Sequence, residues 1–407
     1  MKIQKWEREI IRELAKERKE IASLPEMQNR REAWTKHNDL LGDIPLIHFE
    51  MSTVGDGGFR YECKCESEEA SALEYLLGES IANHKLIGDD RPVSDEFICT
   101  YRSGLVPFDM PVKKVHAEGV GFHIEPQIED LDDLSLIKPS STSFDLDGSK
   151  EWKVFVEEQI GDILDVKPGM NGLYVCLTND IVHRMGMENM FVSMYDNPDG
   201  FHYLMERLSN DYIAYLKELE KRGMIVANNK CNGVAQGTFG FTKSLPDVAT
   251  KTTDCWGFMD SQETVGISSD MFDEFFLPYY KNVADNFGLL SYGCCEPVHS
   301  FWEKSLSRLK NLRKISISPW CDEEFMGEKL RGGKTIYQRK PSPNFVGVGK
   351  DLDEAEFRKH IIQTLEAAKG CKLEITFRDV YNLEGNLGKP RRAVEIVREE
   401  IENRWQG

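Results

Sequence analysis

The chain has 407 residues, 40% of them hydrophobic and 29% charged, enough to bury a sizeable core beneath a soluble surface. That length lies within the range of one large α/β barrel with additions. The formal net charge is −18, from 51 Lys and Arg against 69 Asp and Glu. So acidic a surface repels phosphate backbones and anionic leaflets, and neither nucleic acid nor membrane is an expected partner.

Charges interrupt every long apolar run, and Met1 to Glu7 carry no signal-peptide core. Ten cysteines without an export signal read as reduced thiols in the cytoplasm. Cys63 and Cys65 stand too close for an unstrained disulfide and read as a strand with both thiols on one face.

Trp6, Ile10, Ile11, Leu14 and Ala15 recur at helical spacing, so residues 3–42 read as helix, broken at Leu24-Pro25. Residues 43–150 are less regular, with strands over 44–49 and 97–101 and a helix over 70–83. This N-terminal part (1–150) reads as a helical and irregular extension packing on a barrel, and 151–407 as the main part of that barrel.

From residue 150 the rhythm becomes helix then short apolar strand. Helices are expected over 152–164, 201–222, 269–287, 299–309, 323–330 and 353–368. Strands are expected over 172–177, 224–228, 289–292, 314–318, 335–339 and 372–377. Such alternation demands parallel pairing, and evenly spaced units favour a closed (β/α)8 TIM barrel over an open sheet. No Gly-rich dinucleotide fingerprint or phosphate loop follows any strand. The Met-rich stretch 185–190 reads as gap-filling core.

Barrel enzymes place their chemistry where strands end and helices begin. The expected ends here are Asn228-Asn229, Cys294-Cys295-Glu296, Pro319-Trp320-Cys321-Asp322, Lys340-Pro341-Ser342-Pro343 and Arg378-Asp379. Thiolates beside a carboxylate suit zinc, with Cys294, Cys295, Glu296 and Cys321 as candidate ligands. The competing reading of these cysteines is small core residues. Lys340 and Arg378 suit a carboxylate or phosphate, and Asp379 a proton, amine or hydroxyl, unless the three only pair with one another. His123, in the run from Gly121 to Pro126, reads as part of a lid, and with Trp256, Tyr292 and Trp320 it is a candidate for binding substrate.

Several segments carry a family resemblance: Asn29 to Trp34, Gly186-Met187-Glu188-Asn189, Asp196-Asn197-Pro198, Phe275 to Tyr279, Tyr292 to Glu296, and Ile315 to Trp320. Together they are similar to the uroporphyrinogen decarboxylase-like superfamily, in a bacterial branch close to its cobalamin-dependent methyltransferases. The resemblance implies the same (β/α)8 barrel. It also implies methyl transfer between a small methylated substrate and a corrinoid carried by a partner protein, over a zinc-thiolate site.

Relatives of that kind place His-x-Cys at a strand end with a later Cys. Here Tyr292-Gly293-Cys294 stands at that place, so tyrosine replaces the histidine. The decarboxylase branch, which needs no metal, grips its substrate with an N-terminal arginine motif. Arg91-Pro92 and Arg102-Ser103 are only weak echoes of it. A metal-free decarboxylase and a non-catalytic tetrapyrrole- or corrinoid-binding protein are the competing readings.

Overall fold

A computed structural model describes residues 3–116, 122–170 and 172–405. Seven parallel strands form its centre: β1 (Leu46–Phe49), β2 (Leu173–Val175), β3 (Trp256–Met259), β4 (Leu289–Tyr292), β5 (Leu312–Ile317), β6 (Ile336–Arg339) and β7 (Leu373–Phe377). Their spatial order is β1-β7-β6-β5-β4-β3-β2. Strands consecutive in the chain are therefore neighbours, with β1 carried round to β7, which is the cyclic order of a barrel. Among the described residues β1 and β2 do not pair, so the expected eight-stranded closed barrel is observed as a seven-stranded sheet with a gap.

The expected strand over 224–228 is not formed. Its last residue, Asn228, takes over a ladder's work with its side chain: Nδ2 donates to the Trp256 carbonyl (3.0 Å), and Oδ1 accepts from the Trp256 N–H (2.9 Å). A side-chain amide carries the same donor and acceptor as a peptide, so the start of β3 is satisfied without a partner strand. The helix expected over 269–287 is two, Ser269–Phe275 and Leu277–Ala284. Pro278 has no N–H to continue the first helix and sits comfortably in the first turn of the second. Strand β3 itself was not expected from the sequence. Cys63 and Cys65 lie outside any strand, the first exposed and the second buried, so they do not share a face. In the Met-rich stretch, Met185 and Met190 are buried, whereas Met187 is exposed.

The sheet reads opposite to a common pattern: its helix-facing residues are apolar and its inward ones polar. On β7, Leu373, Ile375 and Phe377 belong to the main core, and Glu374 and Thr376 alternate with them. The inward polar groups serve a hairpin, Gly233–Ala235 paired with Thr238–Phe239. Its Gln236 carbonyl accepts from Gln338 Nε2 (3.1 Å), and its Gly237 carbonyl from Thr376 Oγ1 (3.2 Å). Thr238 Oγ1 accepts from Lys314 Nζ (2.5 Å), and the Phe239 ring lies 5.0 Å from that of His48 on β1. One hairpin touching β1, β5, β6 and β7 lies on the concave face of a curled sheet. Gly237 is required at its tip, because φ is +74° and an added Cβ would lie 2.2 Å from Thr376 Cγ2.

Beneath the hairpin, Lys314 Nζ and Glu374 Oε2 pair at 2.7 Å with both side chains fully buried. The rings of Trp34 and Trp256 flank the ammonium at 5.2 and 5.8 Å, and His37 Nε2 lies 3.1 Å from the same carboxylate oxygen. Trp34 and His37 come from the helix Pro25–Asn38 and β1 from the residues after it, so the N-terminal 150 residues enter the centre of the molecule. They also share a smaller core, around Ile11, Leu73, Leu77 and Phe155, with the helix Leu146–Ile160. No described helix is long and apolar enough to cross a membrane.

Lys314→Met strands a buried carboxylate and is expected to cost about 3–5 kcal/mol in urea denaturation. Lys314→Met/Glu374→Leu is expected to recover most of that loss. Equal losses in the two variants would show that the pair is not what matters. Burial works against the charge of Glu374, but Lys314 and then His37 hold its pKa at about 2. The stability it contributes is therefore complete above the unfolded value of ~4.3 and is lost as pH falls from there toward 2.

Candidate functional site

Strands β4 to β7 end on one edge of the sheet, and the residues that follow them meet there. Cys294, Cys295, Trp320, Lys340, Arg378 and Asp379, with Tyr381 and the prolines 319, 341 and 343, line one cavity of about 320 Å³. Two of its walls depend on unusual backbone. Gly293 has φ +98°, with Ser316 and Val298 packed close enough that a side chain would crowd them. Asp379 has φ +58°, a left-handed conformation that a short polar residue tolerates better than a bulky one.

The turn at Gly293 brings both cysteines to one place, with Cys294 Sγ and Cys295 Sγ 3.4 Å apart. Two consecutive residues of a regular strand would face opposite ways. The hydrogen bond with its neighbour, and then burial, pushes the Cys294 thiol up. The same hydrogen bond pulls Cys295 below an ordinary thiol, against the effect of its burial. Cys295 is thus the more acidic sulfur of the pair, and it lies 4.0 Å from Asp379 Oδ2.

Lys340 is buried at the base of the cavity, and that burial pushes its pKa down while the neighbouring cysteines oppose the shift. Its ammonium donates to Gln236 Oε1 (3.0 Å) and to the Cys294 carbonyl (3.2 Å), leaving one of its three protons. Gln236 comes from the hairpin tip, so the element inside the curled sheet also holds the lysine of the site. Arg378 Nε stands 3.3 Å from Asp379 and 3.6 Å from Glu50, and among the described residues neither its Nε nor its Nη1 has a hydrogen-bond partner.

The other candidate residues lie elsewhere. Glu296 is fully buried, its Oε1 accepting from the Ser261 N–H (2.9 Å) and its Oε2 from the Cys294 N–H (2.7 Å). Cys321 does not line the cavity; its sulfur contacts Ser318 Oγ (3.6 Å) and the Glu296 carbonyl (3.7 Å). Among the described residues, no three His, Cys, Asp or Glu side chains are grouped to hold a metal ion. With Glu296 committed to two amides, the set Cys294, Cys295, Glu296 and Cys321 does not fit a zinc ion as arranged. Tyr292 is buried with its hydroxyl 2.6 Å from Ser261 Oγ, and Trp256 donates from Nε1 to the Gly240 carbonyl (2.9 Å). His123 is exposed on the hairpin strand Phe122–Ile124, while Gly121 of the same run lies outside the described residues.

Sequence reasoning missed Gln236 and Tyr381. The run Gly233 to Gly240, with three glycines around a Gln-Gly tip, carries the turn signal, but a contact with Lys340 across 104 positions is a property of the fold.

No protein-family model matches the chain, and no curated protein matches it. Among solved structures, a methyltransferase from Methanosarcina mazei superposes with a TM-score of 0.50 at 11% sequence identity, over 91% of this chain and 98% of that one. At that identity the likeness is one of fold.

Iodoacetamide near neutral pH is expected to label Cys295 well before Cys294, with a pH midpoint below the ~8.5 of an ordinary thiol. Cys294→Ala, which removes the hydrogen bond to Cys295, should move that midpoint up. Peptide-resolved rates that are equal for the two thiols would refute the assigned order.

Proposed function

We propose that this chain is a barrel methyltransferase of the uroporphyrinogen decarboxylase-like kind, demethylating a small anionic substrate in the cavity at the ends of β4 to β7. The observation that carries the reading is the convergence of Cys294, Cys295, Lys340, Arg378 and Asp379, from three separate strand ends, on one cavity. The fold it shares with a methyltransferase supports the same reaction class.

In this reading Arg378 receives the substrate's carboxylate or comparable anion, and the free proton of Lys340 faces the heteroatom that carries the methyl group. Asp379 and Glu50 hold the guanidinium in place from behind. The methyl group leaves a heteroatom, which keeps the electron pair of the broken bond. That atom needs a proton as its charge develops, and Lys340, made more acidic by burial, is the donor beside it. A corrinoid on a partner protein would supply the methyl acceptor. Trp320 and Tyr381, 74% and 67% exposed at the rim, present flat apolar surface to whatever closes over the cavity. Cys295 lies close enough to help keep Lys340 charged until substrate binds. No zinc-bound step is part of this reading.

The test mixes the chain, without oxygen, with cob(I)alamin and a panel of O-, N- and S-methylated small carboxylates, following loss of cob(I)alamin absorbance. Turnover of at least one is expected. Lys340→Met should lower kcat by about 10²–10⁴-fold, and Arg378→Leu should act chiefly on KM. The rate should fall on the alkaline side before the ~10.5 of an ordinary lysine, because a deprotonated Lys340 cannot donate. Carbon dioxide release from a polycarboxylate with no methyl transfer would put a decarboxylase in its place. Binding without turnover of any kind would favour a non-catalytic carrier.

A further inference from the structure

Cys294 and Cys295 are consecutive, yet the turn at Gly293 sets their sulfurs in contact at 3.4 Å. They differ in access: both line the cavity, but Cys295 is partly exposed and Cys294 is buried. The backbone between them is anchored, with the Cys294 carbonyl accepting from Ser316 Oγ (2.9 Å) and Lys340 Nζ (3.2 Å) and its N–H bound to Glu296. Two cations, Lys340 and Arg378, line the same cavity. A more exposed thiol, a buried thiol in contact with it and a cationic approach together make a reactive arrangement whose sulfur chemistry methyl transfer does not require.

We propose that Cys294-Cys295 is a dithiol–disulfide exchange site for small anionic disulfides. The Cys295 thiolate attacks one sulfur of the incoming disulfide. A new bond forms to Cys295, the old S–S bond breaks, and the first small thiol leaves with the electron pair and takes a proton. Cys294 then gives up its proton and attacks the Cys295 sulfur from the other side, expelling the second small thiol. Two electrons pass from the protein to the disulfide, and two protein protons end on the two released thiols.

The bond that remains joins neighbouring residues. Their Cα atoms are held about 3.8 Å apart by a trans peptide, below the roughly 4.4–6.8 Å usual for a disulfide. Such a bond is strained, and strained disulfides are readily reduced, so the oxidation is reversible. The exchange stands apart from methyl transfer and is read without any turnover.

The experiment treats the full chain with excess oxidised glutathione, removes it, alkylates with N-ethylmaleimide and measures the 294–295 peptide by mass spectrometry. Wild type is expected to yield that peptide lighter by two hydrogens, with neither glutathione nor maleimide. Mild reduction should then restore two maleimide-reactive thiols. Cys294→Ser and Cys294→Ala should each retain glutathione on Cys295, at about tenfold or more the wild-type level, because the resolving thiol is gone. A stable glutathione adduct on wild type, or a doubly alkylated wild-type peptide, would overturn the proposal. Cys63, exposed and followed two residues later by the buried Cys65, reports mixed-disulfide formation at a surface thiol outside the cavity.

Discussion

A backbone hairpin placed inside a curled sheet sets the terms for the rest of this molecule. Peptide groups withdrawn from water must be hydrogen-bonded, and the hairpin tip meets that need with side chains from the surrounding strands. Hence Gln338, Thr376 and Lys314 occupy inward positions where a self-filled barrel would carry Val, Ile and Leu. Once a lysine is buried there, its charge demands a partner, and Glu374 on β7 supplies it across β6. The two tryptophans beside the ammonium exclude water and offer their ring faces to it. The polar interior, the buried pair and the N-terminal helix that brings in Trp34 therefore answer one requirement.

The same hairpin carries the argument upward to the site. Its Gln236 reaches from the tip to Lys340, while the opposite hydrogen bond from Lys340 runs to the backbone of Cys294. A lysine held at two points on a rigid floor has little rotamer freedom left to lose when an anion arrives, which is how preorganisation raises affinity. The left-handed residue Asp379 and the turn at Gly293 serve the same end on the walls. At a residue other than glycine a left-handed conformation costs energy and persists where surrounding packing imposes it, as at Asp379, while Gly293 adopts its turn without that cost.

The alternation of helix and strand after residue 150 was legible because each strand is a short apolar run bounded by polar turns. Strands β4 to β7 and the cavity residues at their ends, Cys294, Cys295, Lys340, Arg378 and Asp379, were located that way. Strand β3 was hidden because Trp256-Gly257-Phe258-Met259 looks like an aromatic loop, and Gly257 is there only because the Phe287 ring occupies the space a side chain would need. Residues 224–228 looked like a strand on composition, yet Asn228 satisfies the β3 edge alone. The destination of Glu296 was not legible either. From sequence a carboxylate beside two thiols reads as a ligand, but which way a side chain turns after Gly293 depends in part on an amide 35 positions away.

That turn of Glu296 explains how so acidic a chain keeps a cationic cavity. Glu296 points inward, toward Ser261 and the neighbouring Asp260, whose carboxyl is pushed up to about 8 by burial and by Glu296 itself. Burial raises Glu296 as well, although its two amide donors favour the charge. Two buried acids this close cannot both ionise without cost, so a proton stays in the cluster and part of its negative charge is removed. Tyr174, donating to Asp260, and Tyr280, donating to the Asp260 carbonyl, close the cluster on the side of β2. Glu296 and Asp260 are thereby partly neutralised and turned away from the thiols, which leaves Asp379 as the carboxylate that shares the cavity with Lys340 and Arg378. Net charge is a sum over the whole surface; the sign a substrate meets is decided by which side of the β4 end each carboxylate was made to face.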